Sequence, residues 1–167
     1  MTEIKEEKMY NRLILIFSIF LFSCDSDIHY IEYSSIDGVW HRDSVQNFNF
    51  DVDLNKTFKY SSFINLRITE AYRFNNIFLI VKLRDSLNTI SVDTLEYKLA
   101  DKYGKFTGEK GINIIENSLL HKENISLENN KTYSISIEHA MRVINKVGGL
   151  EFLEGVVDVG FKIEKVK

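Results

Sequence analysis

The sequence predicts an all-β protein, folded as an antiparallel β-sandwich of seven or eight strands with jelly-roll-like or immunoglobulin-like topology. Most of the chain alternates apolar and polar residues with a period of two, which is typical of half-buried strands. Asp, Asn and Gly separate these segments at short intervals, and no long segment has the periodicity of an amphipathic helix. Closely spaced strands of this kind are typical of sandwiches, and of the two topologies we favour the jelly roll.

The composition indicates a single globular domain. The chain has 167 residues, of which 44% are hydrophobic and 13% aromatic, which is enough apolar material for a packed core. The net charge is only −3 and no predicted strand carries a basic stripe, so nothing indicates nucleic-acid binding. The single cysteine excludes an intramolecular disulfide and a cysteine metal cluster.

The N-terminal segment predicts a signal peptide. Leu13–Phe22 reads LILIFSIFLF, about half the roughly 20 residues of a membrane-spanning helix, and it suits the apolar region of a secretory signal. Arg12 supplies the positive charge before that region, and we favour Met9 over Met1 as the translation start. The expected organisation is a lipoprotein signal peptide at 1–23, a tether at 24–38 and a β-sandwich domain at 39–167.

Cys24 is the predicted lipid attachment point. Leu21-Phe22-Ser23-Cys24 resembles the bacterial lipobox, in which a branched apolar residue lies three positions before the cysteine and a small residue lies directly before it. The resemblance implies a diacylglycerol thioether on Cys24, cleavage before it, and N-acylation with a fatty acid such as palmitate. Two or three acyl chains anchor a protein far more firmly than one. The alternative is a cysteine that ends a signal peptide by chance.

The first strands of the predicted domain have the clearest alternation. In VQNFNFDVDL the apolar positions alternate with Asn and Asp, and the turn Asp53–Lys56 follows. The next segment, TFKYSSFINLRI, continues with apolar residues on one face. The two predicted apolar faces consist of Phe48, Phe50, Val52 and Leu54, and of Phe58, Tyr60, Ile64, Leu66 and Ile68.

The later strands are less uniform. IFLIVKL is apolar on both faces, which predicts a central strand, and the turn Asp85–Asn88 leads into TISVDTLEYKL. A glycine-rich segment is the longest predicted loop, and INII and KENISL are short candidate strands. Two further strands have predicted apolar faces formed by Tyr133, Ile135, Ile137 and His139, and by Val157, Val159, Phe161 and Ile163.

Motifs of catalysis and metal binding are absent from the sequence, so we expect no enzyme, no cofactor and no metal site. The G-x-S-x-G, H-E-x-x-H and G-x-x-x-x-G-K-[ST] patterns do not occur. Asp51, Asp53 and Asn55 resemble the start of a calcium loop, but the required glycine and glutamate are missing. His139 is either a strand-end histidine bonded to backbone, which we favour, or a ligand or catalytic group.

Aromatic residues outside the clearest strands allow a second function. Exposed rings stack on sugars, so a glycan-binding surface could use Trp40, Tyr72, Phe74, Tyr103 and Phe106. Aromatic residues in a sandwich more often pack in the core or at its rim, because each buries a large area.

Several stretches together resemble the GldH family of gliding-motility lipoproteins from the Bacteroidetes. Besides the lipobox at Cys24, they are WHRDS (Trp40–Ser44), FINLR (Phe63–Arg67), NIFLIV (Asn76–Val81), DTLEYKLAD (Asp93–Asp101), KENI (Lys122–Ile125), HAMR (His139–Arg142) and LEGVVDVGFKIEK (Leu153–Lys165). The resemblance implies a lipid-anchored envelope protein, outer membrane favoured, with its domain in the periplasm or at the cell surface. It further implies a role in gliding and type IX secretion through protein partners, without catalysis.

Exported proteins of that phylum carry O-glycans at Asp-(Ser/Thr)-aliphatic triplets, and the chain has three. The candidate acceptors are Ser44, Ser86 and Thr94, of which Ser86, in a predicted turn, is the best and Thr94, in a predicted strand, the worst. Asp-Ser is also ordinary turn chemistry, so this alternative stays open. A glycan-binding sandwich, acting on peptidoglycan or surface polysaccharide, remains the alternative function.

Overall fold

A computed structural model describes residues 27–52, 59–86, 88–143 and 148–166. Throughout these residues the regular structure is β-strand, and no helix occurs. The strands are β1 (Ile28–His41), β2 (Gln46–Val52), β3 (Lys59–Ile68), β4 (Asn76–Asp85), β5 (Thr89–Lys98), β6 (Glu109–Lys110), β7 (Ile115–Ser126), β8 (Lys131–His139) and β9 (Phe152–Lys165).

The strands form two antiparallel sheets that pack into a sandwich, which confirms the predicted fold class. Sheet A has the order β1-β9-β3-β7-β6, and sheet B has the order β2-β8-β4-β5. When the two-residue β6 is set aside, each sheet has four strands. Successive strands lie in opposite sheets except β4 and β5, which are neighbours in sheet B, and this is the jelly-roll order. The topology is therefore the one that we favoured.

The core lies between the sheets and is built from alternate residues of each strand. In β2 every second side chain is buried, from Gln46 through Phe48 and Phe50 to Val52. The predicted faces of β3 and β8 are also confirmed, while Leu54 and Phe58 lie outside the described residues. IFLIVKL lies in β4, which pairs with β5 on one side and β8 on the other, as expected of a central strand.

The predicted tether at 24–38 is wrong for residues 28–38, which belong to β1. This strand lies at the edge of sheet A, and most of its side chains stay partly exposed, so its sequence lacks a clear period of two. A bulge between Ser35 and Gly38, with φ of 56° at Asp37 and 90° at Gly38, interrupts the pattern further. The signal peptide and Cys24 lie outside the described residues.

Two other strands differ from the expectation. INII and KENISL are not separate strands, because Ile115–Ser126 forms the single strand β7; the polar residues Asn117 and His121 on its buried face hide the alternation. In β9 the register with β3 shifts by one residue, so that Val156 is buried in place of the predicted Val157.

Candidate functional site

Only a few residues separate the predicted lipid attachment point from the first strand of the domain. Cys24 precedes Ile28, the first residue of β1, by four positions, and four extended residues span at most about 14 Å. The backbone nitrogen of Lys165, at the end of β9, donates to the Asp27 carbonyl over 2.9 Å. We call this end of the sandwich the anchor-proximal end. The strands β1, β3, β5 and β8 begin there, the last three at Lys59, Thr89 and Lys131, and the strands β2 and β4 end there, at Val52 and Asp85.

The three candidate O-glycosylation positions are all exposed, but in different settings. Ser44 lies between β1 and β2, where its carbonyl accepts a 2.7 Å bond from Trp40 Nε1. Ser86 follows β4 in a bend at the anchor-proximal end, and Thr94 lies within β5, opposite Ile80. The three hydroxyls are far apart in the fold and do not form one site.

The aromatic residues proposed for sugar stacking mostly pack inward. Trp40 is fully buried and Tyr72 is 2% exposed, and Phe74 and Phe106 pack partly buried against the core. Tyr103 alone of the five is widely exposed, at 82%. The alternative of an exposed aromatic surface is therefore wrong for four of its five residues, and the core and rim packing that we favoured is confirmed for them.

His139 is confirmed as a strand-end histidine bonded to backbone. It is the last residue of β8, and its Nε2 donates to the Trp40 carbonyl over 3.1 Å. The Nδ1 atom is buried without a hydrogen-bond partner among the described residues. Burial lowers the pKa of His139, which keeps the ring neutral beside Trp40.

A polar network that the sequence did not indicate joins the two sheets. His121 on β7 contacts Ser62 on β3 through Nδ1 at 3.1 Å, and Asp93 on β5 through Nε2 at 3.3 Å. Lys122 Nζ lies 2.7 Å from the same Asp93 oxygen and 2.8 Å from the Ser91 hydroxyl. These residues come from three strands with no characteristic spacing, so only the fold brings them together.

The residue types Ser62, His121 and Asp93 are those of a serine hydrolase triad, but their setting is that of a structural network. A catalytic serine must reach a substrate, whereas Ser62 is 1% exposed and lines none of the clefts described below. Burial lowers the pKa of His121 even though Asp93 opposes that shift. Asp93 is also partly desolvated, yet its bonds to Lys122, His121 and Ser91 lower its pKa. The arrangement therefore holds a neutral imidazole on an anionic carboxylate between the sheets.

A second network covers the outer face of sheet A. The Tyr33 hydroxyl donates to Glu116 over 2.6 Å, and the Arg67 guanidinium lies 4.0 Å from the Tyr33 ring centroid. The Tyr33 ring lies directly over Gly160, where a Cβ atom would come within 2.7 Å of it. Burial and the Glu116 carboxylate raise the pKa of Tyr33. The phenol is thus a fixed, neutral part of this surface.

Four clefts in the described residues are open and polar or lie beside loops. One, of about 500 Å³, opens at the anchor-proximal end and is lined mainly by amides and hydroxyls, with Arg84 as its cation. Tyr133 also lines it but is 3% exposed, so it offers little ring face to a sugar. Two other clefts flank the loop between β6 and β7, and a fourth lies beside Leu150.

Neither a metal site nor a membrane-spanning helix was found in the described residues. They contain no group of three or more His, Cys, Asp and Glu residues placed to hold a metal ion. Across the same ranges, no helix is long and apolar enough to cross a membrane.

Comparisons with known proteins agree with the resemblance seen in the sequence. Residues 28–163 match the family model described as GldH lipoprotein. The chain is 41% identical over 153 residues to the gliding motility lipoprotein GldH of Flavobacterium johnsoniae, and this alignment covers 92% of this chain and 94% of the relative. It is 40% identical over 157 residues to a GldH homolog of Christiangramia forsetii, covering 93% and 96%.

Similarity to solved structures is weak. Eiger TNF from S. frugiperda aligns over 78% of this chain and 91% of its own, with 8% identity and a TM-score of 0.31, too low to support any functional argument. The family match and the two relatives span nearly the whole sandwich and agree with each other. On that basis, the chain belongs to the GldH lipoprotein family.

Proposed function

We propose that this protein is a non-enzymatic envelope subunit, anchored through lipid on Cys24, that supports gliding motility and type IX secretion through protein–protein contacts. The observation that carries the proposal is the lipobox cysteine four residues before the first strand of a GldH domain. The relatives are named gliding motility lipoproteins, which supports the first of the two roles. We favour the outer membrane as the site of anchoring.

The absence of catalysis is part of this proposal. The Ser62–His121–Asp93 network is supported by bonds on both sides of the imidazole, but its hydroxyl is closed to substrate. A hydrolase also needs donors aimed at the reacting oxygen, and these work only where a substrate can enter. A buried network of this kind is better suited to fixing the two sheets against each other.

Glycan binding is the weaker alternative. Four of the five aromatic residues on which it depended are in or against the core. The polar cleft beside Arg84 offers hydrogen bonds but no exposed ring for stacking. Titration with peptidoglycan fragments is expected to leave the fluorescence of Trp40, the sole tryptophan, unchanged, because its indole is fully buried and bonded to the Ser44 carbonyl.

Crosslinking in living cells tests the proposal. The wild-type protein should recover subunits of the gliding or secretion machinery, identified by mass spectrometry. Cys24→Ala should abolish that recovery, because the domain would lose its position at the membrane while its fold stays intact. Recovery of wall or capsule polysaccharide alone would reject the assembly role and promote the glycan binder.

O-glycosylation at Ser44, Ser86 and Thr94 is a separate proposal. Each hydroxyl is exposed, and Ser86 lies in a bend, where a transferase reaches a backbone more easily than in a strand. The intact mass of protein purified from its own host should exceed that of the lipidated polypeptide, and Ser86→Ala should reduce the excess most. A mass equal to the lipidated, unmodified chain would end this proposal.

A further inference from the structure

We propose that β5 is a docking edge, to which an extended segment of another polypeptide adds a strand and thereby extends sheet B. The inference rests on the proposed function, in which the domain acts through protein contacts. Throughout the described chain, no strand pairs with the outer side of β5, so this edge presents a row of backbone donors and acceptors. Such a row can bind any extended backbone, and the neighbouring side chains then provide specificity.

The edge strands on the other side of the sandwich are poor docking edges. In β1 the bulge at Ser35–Gly38, with two residues of positive φ, breaks the regular row of backbone groups. The short strand β2 presents Asn47, Asn49 and Asp51 on its outer face. The His29 ring also bonds the Asp51 carbonyl over 3.1 Å. Bulges, short strands and charged side chains are the usual means by which proteins prevent edge pairing.

The edge of sheet A next to β5 is also protected. β6 covers only the start of β7, at Glu116 and Ile115. Further along, the Tyr97 hydroxyl donates to the Leu120 carbonyl over 2.7 Å, and Asn124 has a φ of 55°. One acceptor of this edge is therefore occupied, and its backbone is irregular beyond that point. In β5 the register with β4 shifts only near the start, between Thr89 and Ser91, and from Ser91 to Lys98 this strand remains as the long, regular edge of the described sandwich.

The outer face of β5 carries exposed apolar side chains beside the free edge. Ile90 is 49% exposed and Val92 58% exposed, and the neighbouring strand adds the half-buried Phe78 and Ile80. An added strand would place its own alternate side chains next to Val92 and cover this stripe. The partner segment should therefore have apolar or β-branched residues at every second position.

The inward charge on β5 does not oppose pairing. Charged residues that point inward from an edge strand normally discourage an added strand, because that strand would bury them. Here Asp93 already binds Lys122 at 2.7 Å and accepts from the Ser91 hydroxyl at 3.0 Å. The pair is therefore satisfied within the domain before any partner arrives.

A different polypeptide fits this edge better than a second copy. Two copies of β5 would pair antiparallel, which places the anchor-proximal end of one domain at the far end of the other. The ten residues of β5 span about 33 Å. The chain between Cys24 and Ile28 reaches at most about 14 Å. Two copies standing upright on one bilayer therefore cannot pair through β5, whereas an extended partner segment can approach in either direction.

Photocrosslinking in cells tests the docking edge. The full-length protein would carry p-benzoylphenylalanine at Val92, Thr94 or Glu96, which share the outer face of β5, or at Asn49, the matched position on β2. We expect heteromeric adducts from the β5 positions and few from Asn49. When the adducts are mapped, the three β5 positions should reach partner residues spaced by two, the signature of a paired strand.

A charge variant makes the test independent of partner identity. Val92→Lys, combined with the photoreactive group at Thr94, should lower adduct yield about tenfold, as expected when one central contact is lost. Asn49→Lys should leave the yield unchanged, and circular dichroism would verify that both variants fold.

The outcomes separate the two proposals. Adducts from Asn49, but none from the β5 positions, would overturn the docking edge and leave the assembly role standing. Adducts between two copies of this chain, or mapped partner residues without the two-residue spacing, would also overturn it. Heteromeric adducts from none of these positions would overturn the docking edge, whereas the assembly role is decided by whether crosslinking of the wild-type protein recovers subunits of the machinery.

Discussion

Gly155 shows how much one residue of β9 constrains this fold. Its φ is 83°, and a Cβ atom at this position would lie 2.2 Å from the backbone nitrogen of Tyr72. Gly155→Ala should therefore lower the free energy of unfolding by about 3 kcal/mol or more, because backbone strain adds to a clash with main-chain atoms. Urea denaturation measures this difference.

Gly38→Ala is the matched control for that substitution. Gly38 also has a positive φ, 90°, but its Cβ would meet no atom within 4 Å. We expect a loss of about 1 kcal/mol from backbone strain alone. Equal losses at Gly38 and Gly155 would contradict the clash with Tyr72.

His121 should make the domain less stable as the pH falls. Burial lowers its pKa in the folded state below the usual 6.5, so between those two values the unfolded chain binds more protons. Stability is then unaffected above about pH 7 and decreases as the pH falls through 6.5 toward the folded-state pKa. His121→Asn should flatten the decrease in the free energy of unfolding between pH 7.5 and 5.5.

Other titrating groups limit how flat the profile becomes. Burial also lowers the pKa of His139, so a residual slope of the same sign should persist in the variant. The pKa of Asp93 lies below its usual 3.8, so the stability that its carboxylate contributes is lost only in more acidic solutions than those of this measurement. Parallel profiles for the wild type and His121→Asn would show that the buried imidazole does not control this dependence.

The role of a single residue could be predicted where it depends on neighbours in the sequence, but not where it depends on contacts that only the fold creates. Cys24 and His139 were assigned from their immediate neighbours, and the role of His139 was confirmed. The network of Ser62, Asp93 and His121 was missed, since its members are separated by 28 residues or more. One hint was available: His121 lies at an alternate position of β7, on the same face as Ile115 and Leu119.

Among the elements, strands with one buried face were predicted well. β2 and β8 bury every second side chain, so their sequences directly reflect the sheet. β1 was missed because an edge strand with a bulge buries fully only Trp40. In both β7 and β9 the error arose where polar residues or a register shift interrupt the period.

The position of β1 in sheet A leads to a testable difference between a strand and a tether. Deletion of residues 28–38 should abolish the cooperative thermal transition, because it removes a strand that pairs with β9 along its whole length. It also removes Tyr30 and Tyr33, whose rings contact Phe50 and Arg67. Thermal unfolding followed by near-ultraviolet circular dichroism measures the transition. An unchanged transition would restore the tether interpretation.

In the whole molecule, polar side chains close both open sides of the sandwich. On one side Ser34 donates to Gln46 over 2.6 Å, and on the other Tyr97 reaches the Leu120 carbonyl. Burial, with Asp93 nearby, raises the pKa of Tyr97 to about 12, so this phenol stays a donor throughout the physiological range. The two sheets are thus fixed laterally, and sheet B can receive a strand without opening the core.

The short distance between Cys24 and β1 gives the last prediction. A flexible Gly/Ser insertion of 20 residues between Asp25 and Ser26 has an average span of about 25 Å, which frees the domain from a fixed height above the bilayer. The folded domain should be unaffected, because the insertion precedes β1. Gliding and secretion should nevertheless decline, since a partner strand fixed in the envelope would meet β5 at varying heights and orientations.

Insertion of five residues is the matched control, and Cys24→Ala sets the level expected for complete loss. A graded decline with insertion length, at constant protein level and thermal stability, would show that the anchor positions the docking edge. Full function with the 20-residue insertion would show that Cys24 only retains the domain in its compartment, and the short chain before β1 would then have no mechanical role. The contrast separates an anchor that orients from one that merely confines.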